Sequence, residues 1–338
     1  MTKIHLNFAY VLATAKERER LARRYDRLNR TEQYLEKAAT SLHKVGNRRL
    51  TGVRVRRHFV HRPDPPTVEV SDRALPPPDQ RPPATRLLKS GLALRFYLIA
   101  LCAAQMRTRR GQPGNELPLL PEAGGVGWVD LVAVPAEPEM SGRYAASRAS
   151  KKQRQIQSAL KTLSSPGVQL VHLPNRNKRY KTYEGFRLLD EGGVRALGDP
   201  VPYVIPPKDA KTFALPTGLF SNGWIHLLED AELAFLMMLA EATAPDRQGE
   251  WVKITSEERL LHYGIGRDAY AAHKTLSAFG LVKVHADEGR HGDGKVMDYN
   301  KGAQPQLHAL KLEPDGFEEP AFDVMKDYLE PFKNRPAS

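Results

Sequence analysis

The side chains with the clearest chemical potential lie between residues 151 and 161. Lys151, Arg154, Gln155, Ser158 and Lys161 recur on a helical period, so one side of a helix would carry them all. Guanidinium and amide groups on such a face can bond base edges, and ammonium groups can neutralise phosphates. A second basic group follows at Arg176, Lys178, Arg179 and Lys181, with Tyr180 and Tyr183 interleaved. A third, Arg48, Arg49, Arg54, Arg56 and Arg57, lies near the N-terminus. It reads either as an arm that tracks phosphates or enters a minor groove, or as a solvated basic tail.

No catalytic constellation stands beside these groups. Gly292-Asp293-Gly294-Lys295 ends like a phosphate-binding loop, but the following Ser or Thr and the strand-then-helix context are missing, so it reads as a turn between strands. Pro63-Asp64 with Glu69 hints at a metal-dependent nuclease, yet Ser71 stands where that chemistry needs a lysine. His58 and His61 have no third ligand at a recognisable spacing and read as polar members of the arm. Trp128, Trp224 and Trp251 read as core anchors rather than base-stacking platforms. The chain is therefore expected to be a binding protein, not an enzyme, with no cofactor and no metal.

Charge is unevenly distributed along the 338 residues, whose formal net charge is +12. Residues 1–62 hold 16 basic and 5 acidic side chains, a net +11, and residues 143–187 hold 11 and 1, a net +10. Residues 201–338 hold 15 and 21, a net −6. Two concentrated basic regions imply two patches for a polyanion rather than a diffusely basic surface. The single cysteine, Cys102, excludes an internal disulfide and suits a reducing cytoplasm. The N-terminus lacks the apolar core of a signal peptide. The most apolar run, Leu92 to Met106, is interrupted by Arg95 and is too short to span a bilayer. A cytoplasmic, nucleoid-associated location without membrane contact is expected.

Residues 1–62 read as a basic helical extension and arm. Leu21, Leu28, Leu35 and Leu42 recur every seven residues, and Asn29 with Glu32 offers a capping box that would break the helix in two. Packing on the chain itself is favoured over a zipper, because Arg23, Arg24 and Arg27 overlap the heptads instead of preceding them. Residues 63–83, with eight prolines, read as a stiff linker. A first globular unit spans 84–198, with a long helix near 150–163, then a strand, a turn and a returning strand. Residues 199–218 form a Pro-containing connector. In a second unit, 219–312, Thr255 caps a helix that ends at Gly264, another helix runs from Arg267 to Ala278, and two strands follow Gly280.

The second unit resembles the winged helix-turn-helix superfamily over residues 229–312. The resemblance is carried by Ser256–Gly264, Ile265, Arg267–Ala278, Gly280 and the hairpin after it. Ala269, His273 and Leu276 share one helical face and are expected to point inward, leaving Arg267, Tyr270 and Lys274 outward. The resemblance implies that this second helix enters a major groove and that the hairpin, with Arg290 and Lys295, touches the backbone. The first unit repeats the spacing: Ile156, Leu160 and Leu163 match it, and Gly167 follows Leu163 as Gly280 follows Leu276. The helix that should precede the first unit's long helix has no clear counterpart between Trp128 and Ser150.

The expected fold is mainly α with small β-hairpins: two winged-helix units plus the N-terminal basic extension. The expected partner is double-stranded DNA, and the expected role is transcriptional regulation. A plasmid or phage replication initiator is the alternative within DNA binding, and an adaptor that uses the acidic second unit to bind protein is the alternative outside it. In the C-terminal segment, 313–338, Phe322, Met325, Leu329 and Phe332 form an apolar stripe that suits packing on the second unit or, alternatively, a homodimer.

Overall fold

A computed structural model describes residues 4–5, 15–46, 48–71, 74–109, 117–122, 124–134, 140–141, 144–145, 148–179, 181–193, 200–246, 249–286, 297–301 and 307–333. The chain is mainly helical with small antiparallel sheets. Strand β1 (Ile4–His5) precedes α1 (Ala15–Val45), β2 (Val53–Arg56), α2 (Pro83–Arg86) and α3 (Ala93–Arg107). A 3-10 turn at Trp128–Leu131 leads to β3 (Met140–Ser141), β4 (Tyr144–Ala145), α4 (Arg148–Leu163), β5 (Val171–His172) and β6 (Arg187–Leu188). Then come β7 (Thr212–Leu215), α5 (Gly218–Ser221), α6 (Trp224–Leu227) and α7 (Asp230–Ala242). The remainder holds α8 (Ser256–Leu261), α9 (Arg267–Tyr270), α10 (Ala272–Ala278), β8 (Val282–Ala286), β9 (Ala309–Leu312) and α11 (Ala321–Leu329).

Helix α1 is one unbroken helix of 31 residues, not two. The Asn29–Glu32 cap is not used; Thr31 instead returns its hydroxyl to Arg27 O at 2.8 Å. Burial decides this. Leu21, Leu28, Ala38 and Leu42 are buried along one side, so tertiary packing spans the site where a local cap competes. That side faces α11, α3 and the Trp128–Leu131 turn of the same chain. Deep in the contact with α7, Arg24 donates to both oxygens of Glu232 at 2.6 and 2.7 Å, with both side chains buried.

The expected basic arm is largely a strand. β2 pairs antiparallel with β7, with Val53 opposite Leu215 and Arg56 opposite Thr212. Val53 and Val55 face the core together with Phe213 and Leu215, and the arginines take the other face. Alternation at period two is what a half-buried strand requires. The proline-rich segment is not a free spacer either. Just before it Arg62 N donates to His262 O at 2.8 Å, and within it Arg81 lies against Gly264 and Leu75 against Gly266. The segment therefore straps the turn between α8 and α9, where Gly264 adopts the left-handed φ of 65° that glycine tolerates.

In residues 230–312, α7 is followed by Val252, which bridges Leu310, then α8, α9, α10 and the antiparallel pair β8–β9. β1 adds to the free edge of β8. The helix expected from Arg267 to Ala278 is divided at Ala271 into α9 and α10. Thr255 caps α8 as expected, its hydroxyl oxygen accepting from Glu258 N at 3.0 Å. In α11, Met325 and Leu329 are buried and Phe322 half-buried, and Phe332, in the 3-10 turn that follows, is also half-buried; helix and turn pack on α1, and the helix on α6 as well. The C-terminal stripe is thus covered chiefly by the N-terminal helix. No helix among the described residues is long and apolar enough to cross a membrane.

Candidate nucleic-acid interface

Helix α4 packs on α3 and on the Trp128–Leu131 turn through Ile156, Ala159, Leu160 and Leu163. Burying that side leaves Arg154, Ser158 and Lys161 exposed and Lys151 half-buried. Gln155 departs from the expected face: it is half-buried, and its amide oxygen is out of solvent without a hydrogen-bond partner among the described residues. It lies beside Ile156 at the edge of the buried stripe, so it is poorly placed to reach a base. Lys152, which sequence reasoning passed over, fixes the helix instead. Its ammonium donates to Val132 O at 2.8 Å and sits 5.1 Å from the Tyr34 ring of α1. Burial, with Lys37 nearby, lowers its pKa to about 8, and Asp130 opposes the shift.

After α4, β5 and β6 are only two residues each, shorter than the expected strands, and residues 174–185 between them are mostly successive turns. Lys178 N donates to Asn175 O at 2.8 Å, and the Asn175 side chain donates to Glu184 O at 3.0 Å, which ties the two ends of the turn together. Arg176, Lys178, Arg179 and Lys181 are all exposed on it. Tyr180 lies outside the described residues. No ion pair among the described residues engages Arg154, Lys161, Arg176, Lys178 or Lys181.

The corresponding helices of the second unit bury Ala269, His273 and Leu276, as their spacing predicts. Arg267 and Lys274 are exposed, but Tyr270 is not an outward residue. Its ring meets Phe235 edge-on at 5.8 Å, and the buried Arg259 guanidinium stacks over it at 5.0 Å. Aromatic and cation–π contacts draw the ring onto α7. Burial lowers the pKa of His273 to about 4. Arg290, Lys295 and the rest of the Gly292–Lys295 segment, expected as a turn, lie outside the described residues.

The arginines of the third group separate by role. Arg56 reaches buried Glu191, and also Asp190 at 3.6 Å and Val204 O at 2.8 Å. Arg57 reaches Glu241 at 3.5 Å and pairs with Asp246. Both are structural, because pulling either out to a phosphate would strand a buried carboxylate. Arg48, Arg49 and Arg54 remain on the surface side. His58 does acquire acidic neighbours: its Nε2 is 3.1 Å from Asp190, and with Glu191 the three ligand atoms lie within 4.8 Å of one another. Arg56 touches both carboxylates, so the positive charge a metal would supply is already there. His61 stacks on His262 at 5.2 Å and is part of the fold. Trp128 and Trp224 are core anchors, whereas Trp251 is half-buried and stacks on His285 at 3.8 Å.

No protein-family model, no curated protein and no solved structure matches the chain.

Proposed function

We propose that the chain binds duplex DNA, with α4 as the helix that reads bases and the 174–185 turn as a phosphate contact, and that it acts as a transcriptional regulator. The observation that carries this reading is the set of exposed cations, Arg154, Lys161, Arg176, Lys178 and Lys181, that no ion pair among the described residues engages. Cations neutralised by neighbouring carboxylates project little field, whereas this set keeps its charge for a polyanion. The order helix, single bridge, helix, turn, two short consecutive helices, strand, strand in 230–312 supports the winged helix-turn-helix reading of the second unit. A plasmid or phage replication initiator would use the same surface, and genome-wide occupancy separates the two: scattered promoters for a regulator, one array of repeats for an initiator.

Titrating labelled duplex DNA at several salt concentrations tests the binding itself. With six phosphate contacts, log K should fall against log salt with a slope of roughly −5. A slope near zero would remove the electrostatic basis of the reading.

A further inference from the structure

Three of the arginines expected in a basic arm or tail stand in one wall of a groove, and the other wall comes from the segment expected to be a connector. The groove has a volume of about 710 Å³. Arg48, Arg49 and Arg54 line it from the β2 side, and Lys208 and Lys211 from the segment leading into β7. Two acids also line it: Asp209, and Asp246, which Arg57 already holds. The balance is strongly positive, although residues 201–338 are acidic as a whole.

Two of these cations are held in position by the fold. Arg48 donates to Thr108 O at 3.0 Å, at the C-terminal end of α3. Arg54 donates to Thr212 Oγ1 at 3.0 and 2.8 Å, across the β2–β7 pair. Arg49, Lys208 and Lys211 are exposed. On the ribbon's outer face the floor is low, since Gly52 and Ala214 carry almost no side chain. A small anion would need donors converging on a point. Here the cations come from both ends of the β2–β7 ribbon, Arg48 and Arg49 before Val53 at one end and Lys208 and Lys211 before Thr212 at the other, which suits a chain of regularly spaced phosphates.

We propose that this groove holds the sugar-phosphate backbone of duplex DNA, as a contact separate from α4 and its basic turn. It rests on the DNA-binding reading and adds affinity without sequence choice, because phosphates carry no base information.

The test replaces three exposed groove residues together, Arg49→Glu, Lys208→Glu and Lys211→Glu, in the full chain. A companion with glutamine at all three positions guards against misfolding by charge repulsion, and melting temperature checks both. With a labelled duplex, the glutamate variant should bind roughly 10–100-fold more weakly, with a salt slope shallower by about 2–3. The glutamine variant should show the same slope change with a smaller loss, and the preferred sequence should stay the same. If the wild type binds duplex while both folded variants keep its affinity and slope, the groove assignment is overturned and the α4 reading stands. A wild type that binds no duplex overturns the functional reading itself. Groove-dependent binding of single-stranded RNA in preference to duplex would overturn the choice of ligand.

Discussion

Helices α4 and α9–α10 bury the same pattern and show solvent different ones. Ile156, Leu160 and Leu163 in the first, and Ala269, His273 and Leu276 in the second, occupy equivalent inward positions. Outside, α4 carries Arg154 and Lys161 with no acidic residue between them, whereas α9–α10 sets Asp268 beside Arg267 and draws Tyr270 inward. The inward spacing determines how a helix is seated; the outward residues determine what it can meet. Two helices of one internal design can therefore serve different partners, and on the proposed reading charge is the better guide to which of them would meet nucleic acid.

The largest expected effect concerns how the second region is held to α1. Replacing Glu232 with Gln leaves the buried Arg24 guanidinium without its counter-charge, a loss of about 3–5 kcal/mol. Denaturant unfolding followed by fluorescence should show the midpoint falling. An unchanged midpoint would mean that α1 is not anchored through this pair. Leu160→Ala and Leu276→Ala sharpen the comparison. Each truncates a fully buried leucine, and each should cost about 2–5 kcal/mol. Similar costs would support equivalent seating of the two helices, and a negligible cost at either would break it.

Much of this seating was legible from sequence because it is local. Period and caps placed the inward faces of α4 and α10, the Thr255 cap and the buried Met325 and Leu329 of α11. What escaped was set by distant partners. Val53-Arg54-Val55-Arg56 alternates as a strand should, but four residues between a basic run and a proline-rich stretch carry too little signal alone. The partner strand lies far along the chain, Arg54 and Thr212 being 158 residues apart. The unbroken course of α1 escaped for the same reason, since the surfaces that hold it straight across Asn29 come from α3, α11 and the Trp128 turn. On the candidate interface, exposure of Arg154 and of the turn cations followed from helical spacing and composition. The engagement of Arg56 and Arg57 did not, because Glu191, Glu241 and Asp246 approach only after folding.

Two buried histidines extend the comparison to acid. His226 of α6 has its pKa lowered to about 3 by burial, with Arg95 and Lys152 adding repulsion, and its Nδ1 accepts from Ala133 N at 3.4 Å. His273 of α10 is lowered to about 4, again chiefly by burial. In both cases the unfolded chain takes up a proton near pH 6.5 and the folded chain does not. Stability is thus fully present above pH 6.5 and declines as pH falls toward 4 and 3. Each histidine should contribute a loss on the order of 2–3 kcal/mol. Unfolding free energies measured at intervals between pH 7 and 4 should show the decline, less steeply in His226→Asn. A flat wild-type profile would contradict burial of neutral rings.

On DNA, the two helices should part. Arg154→Ala should cost about 1–3 kcal/mol at one position of the preferred site, while Lys178→Ala should weaken all sequences alike. Lys274→Ala, on the acidic unit, should cost less than about 1 kcal/mol. Competition binding against a panel of single-base variants would measure all three. Arg154→Ala losing every sequence equally would make α4 a phosphate contact rather than a reader, and a larger loss at Lys274 would invert the comparison.

The smallest expected effect on stability lies at Lys152, whose ammonium sits by the Tyr34 ring of α1. Its ammonium is drawn from water against Val132 O and the Tyr34 ring, and burial outweighs the help from Asp130, so its pKa falls from 10.5 to about 8. The protonated form is therefore less favourable in the folded chain than in the unfolded one. Folding is penalised below pH 8, and the penalty is relieved as pH rises from about 8 to 10.5, where the unfolded chain still holds the proton that the folded one has released. Because the side chain is only partly withdrawn from solvent, the change should be about 1 kcal/mol rather than the full value of the shift. Comparing wild type with Lys152→Met isolates it, since other lysines and tyrosines titrate in the same window in both proteins. The difference in unfolding free energy between the two should move by about that amount, in favour of the wild type, between pH 7.5 and 10. A constant difference would mean that Lys152 keeps an ordinary solvated ammonium.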